Sequence, residues 1–456
     1  MLLIQFGIFL SLPGIGFSQT ANSEYQRGLD PMGENARFLP IAILIGIASF
    51  LVILTRPAAG LAIIMVFYPF LGSTSGISVM ELVSAAMIAA FIIAWVVAKI
   101  ILQSKEKDFL SCEKLFLAFN IYLGFNSLMA VLSGIPVIDV IRDLVPLANL
   151  FMFLVVKTFV RKKKTLAFLL RIQFGVVIVL AVKGLFIQIT GLVFLDRLLP
   201  AGITSLQIIT MLIMGVGGLI FFRKNKKLFG FCALVSGLTL ILTTNRTSFL
   251  ASIGCILLMI FLSRRSRKVI ALSLIAGVIF VTGFFIAMNV KSQILEEKKQ
   301  RLTGIVGGHQ LSLLNRLDEI SQCAGLFRKH PVFGVGIGYR YVFFRHFVSG
   351  VGEGVMENNY THSDLMNFLA KLGLVGTLLF FWFYIRICRL CWKVWKKAPT
   401  EAQQAKGMMC FIVLVSALLI GQSTPIIQSK NASLFLGMVL GYAFCLYREA
   451  FEKVLR

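Results

Sequence analysis

Charge is what this 456-residue chain has least of: 14% of its residues are charged against 58% hydrophobic, and mean hydropathy is +0.87. A soluble domain carries about 25% charged residues, so the chain cannot cover a water-soluble surface of its length. Its apolar runs also lack the alternation of a lipid-facing barrel. That leaves helices, the other architecture whose backbone groups are satisfied inside a bilayer. Histidine is scarce, at four residues, and no His/Asp/Glu grouping has metal-ligand spacing. No close Asp-x-Asp pair lies outside the expected spans, which disfavours a metal-dependent sugar-nucleotide transferase. The eight cysteines are scattered, nearly all in or beside apolar runs. Cys388 and Cys391 form a CxxC without a second pair, and only Cys323 lies well inside a polar loop, so no disulfide framework exists there. No glycine-rich turn ends in the Lys-Ser/Thr of a nucleotide-phosphate loop.

What is present is a series of apolar runs separated by short basic blocks. Spans are expected near 38–55, 58–73, 77–101, 113–134, 144–158, 165–187, 203–222, 228–243, 247–263, 269–288, 364–385, 407–423 and 431–447. The expected fold is all-α: a polytopic integral membrane protein with about 12–14 transmembrane helices and one long, partly helical extracytoplasmic loop. Residues 1–37 form a signal-like or first-span segment followed by a polar extracytoplasmic stretch. Residues 38–288 hold transmembrane helices, 289–363 the large outer loop, and 364–456 the C-terminal transmembrane helices and an inner tail. The formal charge of +25 invites a nucleic-acid reading. Its cations, however, cluster at Arg161–Lys164, Arg223–Lys227, Arg264–Lys268 and Lys393–Lys397, the positive-inside pattern. The lipid bilayer is therefore the expected partner, and nucleic acid is not.

Long loops are often functional, and residues 289–363 contain all four histidines: His309, His330, His346 and His362. Gln310–Phe327 predicts an amphipathic helix with Leu313, Leu317, Ile320, Ala324 and Phe327 on one face. Arg316 and Glu319, three apart, could meet on it as an exposed ion pair, or the arginine could face a substrate. Arg246 sits at the outer tip of two short spans, where a charge either touches lipid phosphate or has a task. Thr361 and Asp364 match a capping box ahead of an apolar run, which would put His362 in the first helical turn. A neutral imidazole there could accept a hydroxyl proton; the alternative is an incidental interfacial histidine. Arg142-Asp143 reads as an ion pair at an outer helix end. Pro331 is followed by a flexible turn at Gly334, Gly336 and Gly338, and His330-Pro331 with that turn could present amides to a phosphate.

Three stretches together resemble the O-antigen ligase and polymerase superfamily of bacterial envelope enzymes. They are Asn245-Arg246-Thr247-Ser248 at a hairpin tip, Arg316 followed by Phe327-Arg328-Lys329-His330-Pro331-Val332-Phe333-Gly334-Val335-Gly336, and His362-Ser363-Asp364 leading to Leu372-Gly373-Leu374-Val375-Gly376. Ser363 stands where asparagine is common, and Lys371 where an acidic residue is common. The resemblance implies transfer from an undecaprenyl-diphosphate-linked glycan donor to a hydroxyl of lipid A core or another glycan acceptor, facing the periplasm from the bacterial inner membrane. It implies His362, Arg316 and Arg246 as catalytic residues. Arg142, Arg340, His330 and Asp364 would contact substrate. The donor is already energised, so no cofactor and no metal is expected. The rival reading is a transporter or flippase for lipid-linked or anionic solutes, which predicts charged or broken helices near the midplane.

Overall fold

The computed structural model describes residues 39–67, 79–100, 111–160, 162–190, 204–222, 224–242, 246–263, 311–345 and 354–455. The segment 1–37 and the span expected near 269–288 lie outside these residues, as do His309 and His346. The described chain is an all-α polytopic membrane protein carrying one small hairpin.

Its helices are α1 (Leu39–Thr55), α2 (Pro57–Phe67), α3 (Val79–Ile100), α4 (Ser111–Leu132), α5 (Val137–Asn149), α6 (Met152–Phe159) and α7 (Lys163–Thr190). After these come α8 (Ser205–Phe221), α9 (Lys226–Leu242), α10 (Arg246–Leu262), α11 (Leu311–Lys329), α12 (Asp364–Lys397), α13 (Glu401–Ile420) and α14 (Lys430–Leu455). Between α11 and α12, β1 (Tyr341–Arg345) pairs antiparallel with β2 (Gly354–Asn358), Tyr341 opposite Asn358 and Phe344 opposite Val355. Among the described residues five helices are long and apolar enough to cross a bilayer, including α12, α13 and most of α4 and α14.

Local chemistry sets several helix starts. Thr204 and Gln207 form a capping box at α8, and Thr400 accepts the Gln403 amide at α13. The single span expected over 144–158 is two helices, α5 and α6, separated by tight turns at Leu150 and Phe151. Pro146 lies inside α5 and Pro136 at its N-cap, so α5 begins earlier than the hydrophobic run alone indicates.

The core is aromatic and lies where α4, α6 and α12 meet. Phe383 stands 5.0 Å from Phe116 and 5.1 Å from Phe153, and Phe380 packs on Phe119 and Phe368. Helices α13 and α14 close around it. One end of this bundle is basic: Lys157 pairs with buried Glu113, Lys163 with Glu449, and the Arg448 guanidinium donates to the Lys157 and Val160 carbonyls. The opposite end carries α11, the hairpin and the start of α12.

Helix α11 forms as expected, but a different face is buried. Glu319 and Cys323 turn inward, with Leu326 half-buried behind them against Tyr341 and Ala370, while Leu317 and Ile320 are 49% and 38% exposed. Burial follows what the helix packs on, and His362, just ahead of α12, offers the Glu319 carboxylate its backbone N–H and its imidazole.

Candidate active site

The centre of the end opposite the basic rim is a contact between Glu319 of α11 and His362. Both carboxylate oxygens approach the imidazole Nδ1, at 3.0 and 2.9 Å, and one also accepts the His362 backbone N–H at 2.9 Å. Glu319 is 5% exposed, while the His362 side chain stays 42% exposed. A buried carboxylate that receives two donors satisfies the requirement for interior charge.

The capping box expected from Thr361 and Asp364 is not formed. Ser363 is the N-cap, its hydroxyl accepting the Met366 N–H, and the Thr361 hydroxyl donates to the Ser363 carbonyl. His362 therefore precedes the cap instead of occupying the first turn, and its ring is held by Glu319. Asp364 is 4% exposed; its carboxylate accepts the Ile426 and Ile427 amides and the Gln428 side chain. Gln428 also brackets the Thr361 backbone, accepting its N–H and donating to its carbonyl. The segment 361–364 is thus anchored to the α13–α14 turn, and the Asp364 carboxylate has a structural duty in place of the substrate contact expected for it.

Arg316 lies one turn before Glu319 on α11, partly exposed. Of the two readings of Arg316, the ion pair with Glu319 does not form, because Glu319 turns to His362. Arg246 opens α10. A Cβ on Gly217 of α8 would meet both Met259 of α10 and Met409 of α13, so α10 packs against both helices. The Arg246 side chain, like Asn245, lies outside the described residues. His330 closes α11, eleven residues beyond Glu319, or about 16 Å along the axis; it is not beside His362.

A second charged cluster adjoins the first through Asn359. Asp139 of α5 is 1% exposed and takes a two-pronged contact from Arg340, Nε at 2.9 Å and Nη2 at 3.0 Å, with Arg142 at 3.5 Å. The expected Arg142–Asp143 pair is replaced by this one. Asp143, a turn further on, binds Lys371, accepts the Gly338 N–H at 2.8 Å and accepts from Asn359 at 3.2 Å. Burial pushes the Asp143 carboxyl up, and the Lys371 ammonium beside it pulls it partly back. Lys371 also donates to the Asn359 carbonyl. The departure noted at Lys371 thus has a physical counterpart in the acid it neutralises.

In the stretch 331–338 the amides of Gly334 to Gly338 are all occupied. Helix α12 breaks at Gly373, φ 62 and ψ −168. The Leu374 and Val375 amides donate to the Pro331 and Val332 carbonyls, and the Ala370 and Lys371 carbonyls accept from Val335 and Gly336. Tyr122 and Asn126 of α4 bind the Phe333 carbonyl, and Asn126 accepts the Ile337 N–H. The expected phosphate-cradling amides and flexible turn are therefore replaced by a lace through a broken helix. It joins two of the stretches that carried the resemblance.

Glu319, Asn359, Lys371 and Gln428 were not singled out for these roles from sequence. The signal for Glu319 was its spacing with Cys323 and Leu326, four and three apart, a second inward face. Cys323 itself is fully buried, with its thiol pushed up to about 11 by burial, a packing sulfur with little nucleophilic character. Among the described residues no three His, Cys, Asp or Glu side chains could hold a metal ion.

Fold and site define a multi-pass helical membrane protein with an acid–imidazole pair at the end opposite its basic rim. Residues 231–381, which include α10, α11, the hairpin and His362, match the family model described as O-Antigen ligase, and over that stretch the chain is similar to the O-antigen ligase/polymerase superfamily. The match supports an O-antigen ligase-type role in envelope polysaccharide biosynthesis, a glycosyltransferase-like ligase activity. No curated protein matches the chain.

Proposed function

We propose that the protein transfers a glycan from an undecaprenyl-diphosphate-linked donor to an acceptor hydroxyl, on the periplasmic side of the bacterial inner membrane. The observation that carries this reading is the half-exposed His362 imidazole set on buried Glu319, one helical turn from Arg316. The acceptor oxygen attacks the anomeric carbon, and its proton passes to the imidazole. The bond from that carbon to the diphosphate oxygen breaks, and its electron pair leaves with the lipid diphosphate. A positioned base contributes about 10²–10⁴-fold. Guanidinium groups stay charged and match phosphate oxygens in pairs, so Arg316 and Arg246 stabilise the leaving diphosphate. Arg142 and Arg340, half-exposed around Asp139, bind the polar glycan or acceptor. The donor carries its own activation, so the reaction needs no metal and survives a chelator. Lipid A core and a growing glycan are the two acceptor classes, giving a ligase or a polymerase.

A transporter would use a broken helix as an ion or substrate site. The break in α12 spends its freed groups on the 331–336 lace, which favours the enzymatic reading.

His362→Ala and Arg316→Ala are expected to abolish glycan transfer in the host while membrane levels of the protein stay normal; wild-type surface glycans in either variant would reject the assignment. Deleting the protein separates the acceptors by glycan length. Single repeats on core indicate a lost polymerase, and unattached lipid-linked chains a lost ligase.

A further inference from the structure

We propose that Glu319 is a positioning residue: it fixes His362 as the Nδ1–H tautomer, so that Nε2 is the nitrogen that takes the acceptor proton. This rests on His362 as the base in the reading above and adds how the protein chooses its reactive atom.

Three observations carry it. An ionised carboxylate has acceptors and no donor. Glu319 faces the His362 Nδ1 with both oxygens and already accepts the backbone N–H of the same residue. A favourable contact at 2.9 Å then requires the ring to bring a proton on Nδ1, which leaves the neutral imidazole with its lone pair on Nε2. Exposure agrees: Nδ1 is turned onto a carboxylate only 6% exposed, while 42% of the ring's side chain remains open. The face available to a hydroxyl is the Nε2 edge. Finally, the backbone that carries the ring is fixed in front of the carboxylate. It is held on one side by Glu319 and through Thr361 on the other by Gln428.

During transfer the acceptor O–H bond breaks, its proton joins Nε2, and the imidazolium forms beside a carboxylate already in place. The proton leaves to solvent after product departs, and the Nδ1–H is retained throughout. Glu319 touches neither substrate nor reacting atom in this scheme; it acts through the ring. A purely structural role would have Glu319 hold only the His362 backbone, and glutamine can keep that single acceptor contact. Its amide can also donate to Nδ1, which moves the ring proton to Nε2 and blocks the base.

The test uses the full chain in nanodiscs, labelled with [¹⁵N]histidine. Four histidines are few enough for His362→Gln to identify the resonances of interest. The wild type is expected as the Nδ1–H tautomer, and E319Q as predominantly Nε2–H. With undecaprenyl-diphosphate-linked glycan extracted from the host as the probe, E319Q is expected to lower kcat about 10²-fold with KM for the donor within twofold. E319D, which keeps the charge, recovers part of the rate. An Nε2–H tautomer in the wild type, an unchanged tautomer in E319Q, or a wild-type kcat in E319Q overturns the proposal. If H362A is inactive in that last case, the base reading still stands and only the role of Glu319 is lost. Activity persisting in H362A removes the base itself and this inference with it.

Discussion

Lys371 shows how a single side chain ties the site end of the molecule together. Its ammonium is 3% exposed and meets Asp143 and the Asn359 carbonyl, three residues before His362. Interior charge is costly, and the pair persists because each member has a second partner: Asp143 also accepts from Gly338 and Asn359. Removing one member strands the other. Lys371→Met alone and Asp143→Asn alone are each expected to cost about 3 kcal/mol, read as a lowered thermal midpoint of the detergent-solubilised protein. The combined Lys371→Met, Asp143→Leu variant, which leaves no unpaired charge, should recover most of that loss. Wild-type midpoints in both single variants would show that the pair contributes nothing. From sequence, Lys371 is visible only as an unusual charge inside an apolar run, because its partner lies 228 positions away and no local pattern links them.

At the scale of elements, the lace between 331–336 and the break in α12 decides where His362 can stand. Gly334 and Gly373 face each other at φ +72° and +62°, and a Cβ on either would come within 2.6 Å of the other's backbone nitrogen. Side chains there meet both an unfavourable dihedral and fixed main chain. Gly334→Ala or Gly373→Ala should therefore destabilise by about 2 kcal/mol or more. Gly325→Ala, on the open side of α11 with nothing within 4 Å, should raise stability by about 0.5–1 kcal/mol. Thermal midpoints of the three variants check this, and equal effects at all three positions would contradict the lace. The helices themselves were legible, since continuous apolar runs and polar breaks mark them, and α11 was expected within two residues at each end. Its buried face was not. Periodicity ranks faces by hydrophobicity, whereas Glu319 turns inward for a hydrogen bond to a residue 43 positions away. The β1–β2 hairpin was missed for a related reason: Tyr341 and Phe343 are buried while Val342 and Phe344 are exposed, so apolar residues occupy both faces and hide the alternation.

Across the whole molecule, charge asymmetry and site position tell one story. Lys157, Lys163, Lys393 and Arg448 gather at one end with Glu113 and Glu449, whereas Glu319, His362, Asp139 and Asp143 gather at the other. Basic residues are retained on the cytoplasmic side of short connections, which supports the outward placement proposed for the imidazole end. The same arrangement suits a donor that crosses the membrane before it is used, since the acid–imidazole pair and the half-exposed Arg142 and Arg340 share that end. Two cysteine substitutions report the orientation directly. Val355 of β2 is 70% exposed and Lys397 closes α12 at the basic end, also exposed. Seven of the eight native cysteines are buried and Cys388 is half-buried, so background labelling is low. In intact spheroplasts a membrane-impermeant maleimide is expected to label Val355→Cys within minutes and to label Lys397→Cys only after permeabilisation. The reverse pattern would put His362 in the cytoplasm, and a base there could not serve a lipid-linked donor presented on the outer leaflet.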